Sequence, residues 1–130
     1  KAVLLLADSI HGYAVDSANP AGFAQFGRRG SLERALRNAG LAPYVCGSPG
    51  ERAQRAEEKK ARISIGREAG CRVAILGYGR NDASSGATAA QVIADLEALG
   101  RSTGMRWVPV TISPHTTSTD GWATVGNQTV

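Results

Sequence analysis

Aromatic side chains are scarce, with two Trp, three Tyr and two Phe in 130 residues. Proteins that hold single-stranded nucleic acid stack bases on aromatics along a cationic track. Here the arginines are spread from Arg28 to Arg106 and no aromatic cluster accompanies them. The net charge of +4 therefore reads as a solvated basic surface, and nucleic acid is not an expected partner. Cysteine is limited to Cys46 and Cys71, with no Cys-x-x-Cys pair, and His11 and His115 stand far apart. That set supplies neither a disulfide framework nor a zinc site, so no metal is expected. The longest apolar run, Ala2 to Ala7, is far too short to span a bilayer, and no membrane partner is expected. No signal-peptide pattern is visible, which leaves the compartment open. The phosphate-cradling patterns Gly-x-x-x-x-Gly-Lys-Ser/Thr and Gly-x-Gly-x-x-Gly are missing too, which weakens a nucleotide-binding reading.

What is present suits one globular domain over residues 1–130. Hydrophobic residues make up 42% and charged residues 20%, a balance that excludes a disordered chain. A chain this long buries roughly two-thirds of its unfolded surface. No period of 20–50 residues repeats, so a solenoid is not expected.

Val3-Leu4-Leu5-Leu6 predicts a strand buried on both faces. Asn19-Pro20 opens a helical stretch carrying Phe23, Phe26, Leu32, Ala35, Leu36 and Ala39, with a break at Gly27–Gly30 and a stop at Gly40. Ala42 to Cys46 predicts a second strand, followed by a tight Gly-Ser-Pro-Gly loop. Glu51 to Ala69 predicts a charged surface helix whose Glu57-Glu58-Lys59-Lys60 run is a solvated face. Arg72 to Gly77 predicts a third strand, and Tyr78 to Gly86 a polar loop. Thr88 and Gln91 form a capping box for a helix reaching Leu99, stopped by Gly100. Met105 to Ile112 predicts a fourth strand, in which Pro109 asks for an edge position or a bulge. Ser113 to Gly121 reads as a loop and Trp122 as the start of a further helix. Trp107 and Trp122 are expected to pack in the core or on the surface rather than to line a cleft.

Strand and helix alternate four times, which predicts an α/β fold with a parallel sheet. With sheet order 2-1-3-4, Cys46 and Cys71 lie two strands apart and at opposite edges. Bridged Cα atoms must lie within about 7 Å, so no disulfide is expected between them. Ligands of such sheets bind beyond the carboxyl ends of the strands. The loops there are Asp8–Gly12, Gly47–Gly50, Tyr78–Gly86 and Ser113–Gly121. Ser9 follows a buried strand and enters a turn, where an exposed hydroxyl can act as a nucleophile and its own amide can hold an oxyanion. Taken alone it reads as well as a cap or turn serine. Gly47 can turn its N–H toward a ligand with no side chain in the way, and reads also as an ordinary loop glycine. Asn81, in Gly79-Arg80-Asn81-Asp82, offers a neutral donor for developing negative charge, or a simple turn.

Together these segments resemble the SGNH, or GDSL, hydrolase family. Ala7-Asp8-Ser9-Ile10 is similar to its first block, with Ala7 where Gly is usual. Cys46-Gly47-Ser48-Pro49-Gly50 is similar to the second, with Val45 at the usual Asn position. Leu76 to Asp82 contains the third block, Gly-x-Asn-Asp, in full. The resemblance runs from Val3 to about Trp122. It implies a three-layer α/β/α sandwich with a flavodoxin-like parallel sheet, of which four strands are visible and a last strand and helix are absent from an incomplete C-terminus. It implies Ser9 as nucleophile, an oxyanion hole from the Ser9 and Gly47 amides and the Asn81 side chain, and Asp8 and Asp82 as supports for the loops. The implied reaction is serine ester hydrolysis through an acyl-enzyme, on a small ester such as an acylated sugar or lipid, with no cofactor.

The family's last block, Asp-x-x-His, has no counterpart. Asp8 stands three before His11, but on the nucleophile's own turn, so His11 is read as a pocket-wall or surface residue. His115, on the loop after the fourth strand with Asp120 close in sequence, is the alternative base. A serine without a base is a poor nucleophile. The competing expectation is therefore an inactive SGNH-like binding domain, or one chain of a pair in which a second chain completes the fold.

Overall fold

Ala2–Ala7 forms β1, the central strand of the molecule, in a computed structural model that describes residues 1–8, 31–47, 50–54, 59–110, 117–118 and 128–129. Alternate residues of β1 enter two different cores. Leu4 and Leu6 join one cluster, and Val3, Leu5 and Ala7 the other. This is why the run is apolar throughout rather than alternating. The chain continues through α1 (Ser31–Asn38), β2 (Ala42–Val45), α2 (Lys60–Glu68), β3 (Val73–Gly77), α3 (Arg80–Ser84), α4 (Ala89–Thr103) and β4 (Arg106–Pro109). The strands form one all-parallel sheet in the order β2-β1-β3-β4, as expected. Leu32 and Leu36 of α1 cover one face. Ile63 of α2 and Val92, Leu96 and Leu99 of α4 cover the other. The result is an α/β/α arrangement of flavodoxin-like topology.

Both cysteines are free thiols; Cys46 follows β2, Cys71 precedes β3, and β1 lies between those strands. Pro109 sits on the edge strand of the described sheet, opposite Leu76. The next residue, Val110, donates its N–H to the Leu76 carbonyl at 2.9 Å. Successive residues of a strand point their amides to opposite sides, so the Pro109 nitrogen faces the open edge and no ladder bond is lost.

Four expectations about the elements away from the third strand's end need correction. First, α2 begins at Lys60, not Glu51. Residues 51–53 are not helical, and their backbone is engaged elsewhere: the Glu51 carbonyl accepts from Asn81 and the Ala53 N–H donates to Asp82. Second, Lys59 is not on a solvated face; it is 1% exposed. Third, α4 passes through Gly100 and ends at Gly104, whose φ of 64° is the left-handed stop. Gly100 lies against the Trp107 indole, which a Cβ at that position would overlap, so this glycine serves packing and not termination. The capping box itself is present, with the Thr88 N–H donating to Gln91 Oε1 at 2.8 Å. Fourth, Thr117–Ser118 (β5) and Gln128–Thr129 (β6) pair as a short antiparallel ladder. The segment from 113 to 121 is thus not all loop; the helix expected from Trp122 lies outside the described residues.

Candidate active site

The carboxyl ends of β1, β2 and β3 converge on one edge of the sheet. Ser9, the expected nucleophile, lies outside the described residues, as do His11, His115, Asp120 and Trp122. The residue before Ser9 is fixed: Asp8 is 1% exposed and its N–H donates to the Gly77 carbonyl at 3.2 Å.

Gly47 is held close to that point. The Cys46 N–H donates to the Leu5 carbonyl at 2.8 Å and carries the β1–β2 ladder past the end of β2. Gly47 then lies so tightly against the Ala7 peptide that any Cβ would overlap the Ala7 carbonyl oxygen. A side chain there would have to push backbone away, so only glycine fits.

Asn81 and Asp82 lie on α3, a short helix where sequence suggested a loop. Gly79 turns the chain into it with φ 123°, a conformation side chains resist. Both residues then reach the 51–53 segment. Asn81 Nδ2 donates to the Glu51 carbonyl at 2.9 Å. The Ala53 N–H donates to both oxygens of the fully buried Asp82 carboxylate, at 3.0 and 3.1 Å. Removing this acceptor strands a buried N–H. Asp82→Ala should cost about 1.5–3 kcal/mol, and Asp82→Asn, which keeps one oxygen, should cost less. Urea unfolding checks this; a loss below about 0.5 kcal/mol for the alanine variant contradicts the clamp.

The remaining polar groups were not foreseen from sequence. Glu51 accepts from the Tyr78 hydroxyl at 2.8 Å and from both terminal nitrogens of Arg62, one of them at 3.0 Å. Lys59 Nζ stands 3.9 Å from the same carboxylate and 5.2 Å from the Tyr78 ring centre, and donates to the Gln54 carbonyl at 2.9 Å. Arg62 also donates to the Cys46 carbonyl at 3.0 Å. The hydrogen bond to Glu51 pushes the Arg62 pKa further up. Burial, with the Glu51 carboxylate adjacent, raises Tyr78 well above the ordinary phenol value. Burial also raises the Cys46 thiol, partly offset by Arg62. Arg62 is thus a fixed cation and Tyr78 a fixed neutral donor at any physiological pH. Nothing in periodicity announces this network, because its members join segments separated in sequence.

No family model matches the chain, and a search of curated proteins finds no match. Solved structures do match. The esterase EstA from Pseudoalteromonas superposes with a TM-score of 0.57 at 13% identity, over 87% of this chain and 61% of that one. A mutant of the esterase AlinE4 gives 0.54 at 20% identity, over 88% and 61%. A GDSL-like lipase from Parabacteroides merdae gives 0.51 at 22%, over 95% and 63%. The chain has the SGNH/GDSL hydrolase fold. It spans about three-fifths of the length of each of these proteins. The three segments that resemble the family's blocks follow β1, β2 and β3 of this SGNH/GDSL sheet, at its carboxyl edge.

Beside this edge, α4 and β4 leave an apolar groove of about 540 Å³ that includes Ala87, Val92, Leu96, Trp107 and Val110. Trp107 packs against the core as expected, but against expectation it also lines this groove.

Proposed function

We propose that this chain carries the nucleophile and the oxyanion donors of a serine ester hydrolase of the SGNH type. The observation that carries this reading is the packing of Gly47 directly on the last residue of β1, two positions before Ser9, with Asn81, on the short helix after β3, anchored to the Glu51 carbonyl. In this reading the Ser9 hydroxyl attacks the ester carbonyl and loses its proton to a base. The oxyanion of the tetrahedral intermediate accepts hydrogen bonds from the Ser9 and Gly47 amides and from the second Asn81 N–H. The alkoxide takes up the proton and leaves, and water then hydrolyses the acyl-enzyme. Asp8 and Asp82 hold the loops. The base is His115 oriented by Asp120, or a histidine contributed from outside residues 1–130, including from a second chain. No cofactor is required, and the substrate is a small acyl ester, with acylated sugars and lipids as candidate classes.

The departures at Ala7 and Val45 favour a second reading, a scaffold that binds without hydrolysing. Hydrolysis of p-nitrophenyl acetate by wild type and Ser9→Ala separates the two. The esterase reading expects the serine variant to fall to background, since losing a serine nucleophile costs several orders of magnitude in kcat. Equal rates in the two proteins sink it, and an inactive wild type across a panel of esters supports the binding domain.

A further inference from the structure

We infer that Arg62 and Glu51 are positioning residues that set the aim of two oxyanion donors at once. The inference rests on the ester-hydrolase reading for its catalytic consequence, but its geometry stands on its own. A trans peptide is a rigid plane whose C=O and N–H point in opposite directions, and no cis peptide occurs among the described residues. Arg62 Nη1 grips the Cys46 carbonyl at 3.0 Å. The N–H on the other side of that same plane belongs to Gly47. Holding the carbonyl therefore fixes the direction of the Gly47 amide, which Gly47, lacking a Cβ, would otherwise leave loosely specified.

Arg62 is itself held. Its two terminal nitrogens bind the two carboxylate oxygens of Glu51, and the Tyr78 hydroxyl secures the same carboxylate. Such a fork-on-fork contact fixes orientation as well as distance. The main chain of Glu51 meanwhile takes one N–H of Asn81 at 2.9 Å. An amide nitrogen has two hydrogens in a fixed plane, so anchoring one sets the direction of the other. Glu51 thus touches the second block through Arg62 and the third block through its own carbonyl. The distance between the Gly47 and Asn81 donors is set by one residue, and an oxyanion hole depends on that distance. Neither Arg62 nor Glu51 is required to touch substrate.

The test compares wild type, Arg62→Met, Arg62→Lys and Glu51→Gln in p-nitrophenyl acetate hydrolysis, in labelling by a fluorophosphonate, in urea unfolding and in ¹H–¹⁵N spectra. Misaiming a donor should lower kcat of Arg62→Met by about a hundredfold with KM within twofold. Lysine can reach the Cys46 carbonyl but cannot fork onto Glu51, so Arg62→Lys should recover part of the loss. The Gly47 amide resonance should move in Arg62→Met, and in Glu51→Gln to a smaller extent. A folded Arg62→Met with wild-type kcat overturns the inference. So does a kcat loss that only follows the unfolded fraction. If wild type neither hydrolyses esters nor labels, the hydrolase reading fails instead, and the Gly47 resonance decides the geometry alone: an unmoved peak in folded Arg62→Met overturns it. Should Arg62→Met fail to fold, the same readings on Arg62→Lys and Glu51→Gln decide.

Discussion

Asn81→Ala is expected to lower kcat for ester hydrolysis by about 10²–10³-fold, the usual result of deleting one side-chain donor from an oxyanion hole. The loss should fall on kcat and leave KM nearly unchanged, because the negative charge the amide meets exists only on the way to the tetrahedral intermediate. A second effect must be measured separately. Asn81 also bonds the Glu51 carbonyl, and giving up that contact should cost about 1 kcal/mol of stability. Urea unfolding of the variant supplies this number, and steady-state kinetics at a temperature where it is fully folded supplies the other. A folded Asn81→Ala enzyme within threefold of wild-type kcat removes Asn81 from the proposed hole and leaves it a loop anchor.

Leu4→Ala is expected to destabilise the protein by about 2–5 kcal/mol, the range for emptying a fully buried leucine site. Leu4 is 0% exposed in the central strand, and α2 crosses it at Gly66. A Cβ on Gly66 would lie 2.8 Å from Leu4 Cδ1 and 3.0 Å from Cδ2. This makes the two sites dependent on each other. Alanine at 66 alone gains about 1 kcal/mol in helix propensity but collides with the leucine. With alanine at position 4 the collision disappears and the new methyl fills part of the cavity. The double variant should therefore be more stable than the sum of the single losses by about 0.5–3 kcal/mol. Urea midpoints of the four proteins close the cycle. Strict additivity would show that α2 does not rest on Leu4 as described.

The two inner strands were legible because they are largely buried and need no pattern beyond unbroken apolarity, as in Val3 to Leu6 and Val73 to Leu76. The capping box at Thr88 and the stop at Gly40 were legible because they act within a few residues. Gly100 was misread for the opposite reason: it resembles a helix stop, and its true neighbour, Trp107, arrives only through tertiary packing. The same holds for Lys59, whose charged run looks solvated until Tyr78 and Glu51 are brought beside it. Among the candidate site residues, Asn81 and Asp82 were found through a local motif, although its helical form was not. Glu51 and Arg62 carry no local signal at all, since each binds partners from a different segment. Ser9 and the histidines lie outside the described residues, so their roles rest on sequence and on the surrounding frame.

The position of β1 also has a consequence for the order of folding. Leu4 needs Tyr44 on one side and Ala74 on the other to complete its ladder. During synthesis β1 emerges long before β3, so an apolar strand with two open edges waits for its second partner. Pairings this distant in sequence close slowly, and an unpaired edge of this kind invites association with other chains. Refolding yield should therefore fall as protein concentration rises, and the nascent chain is most exposed to misassembly until residues 73–77 have appeared.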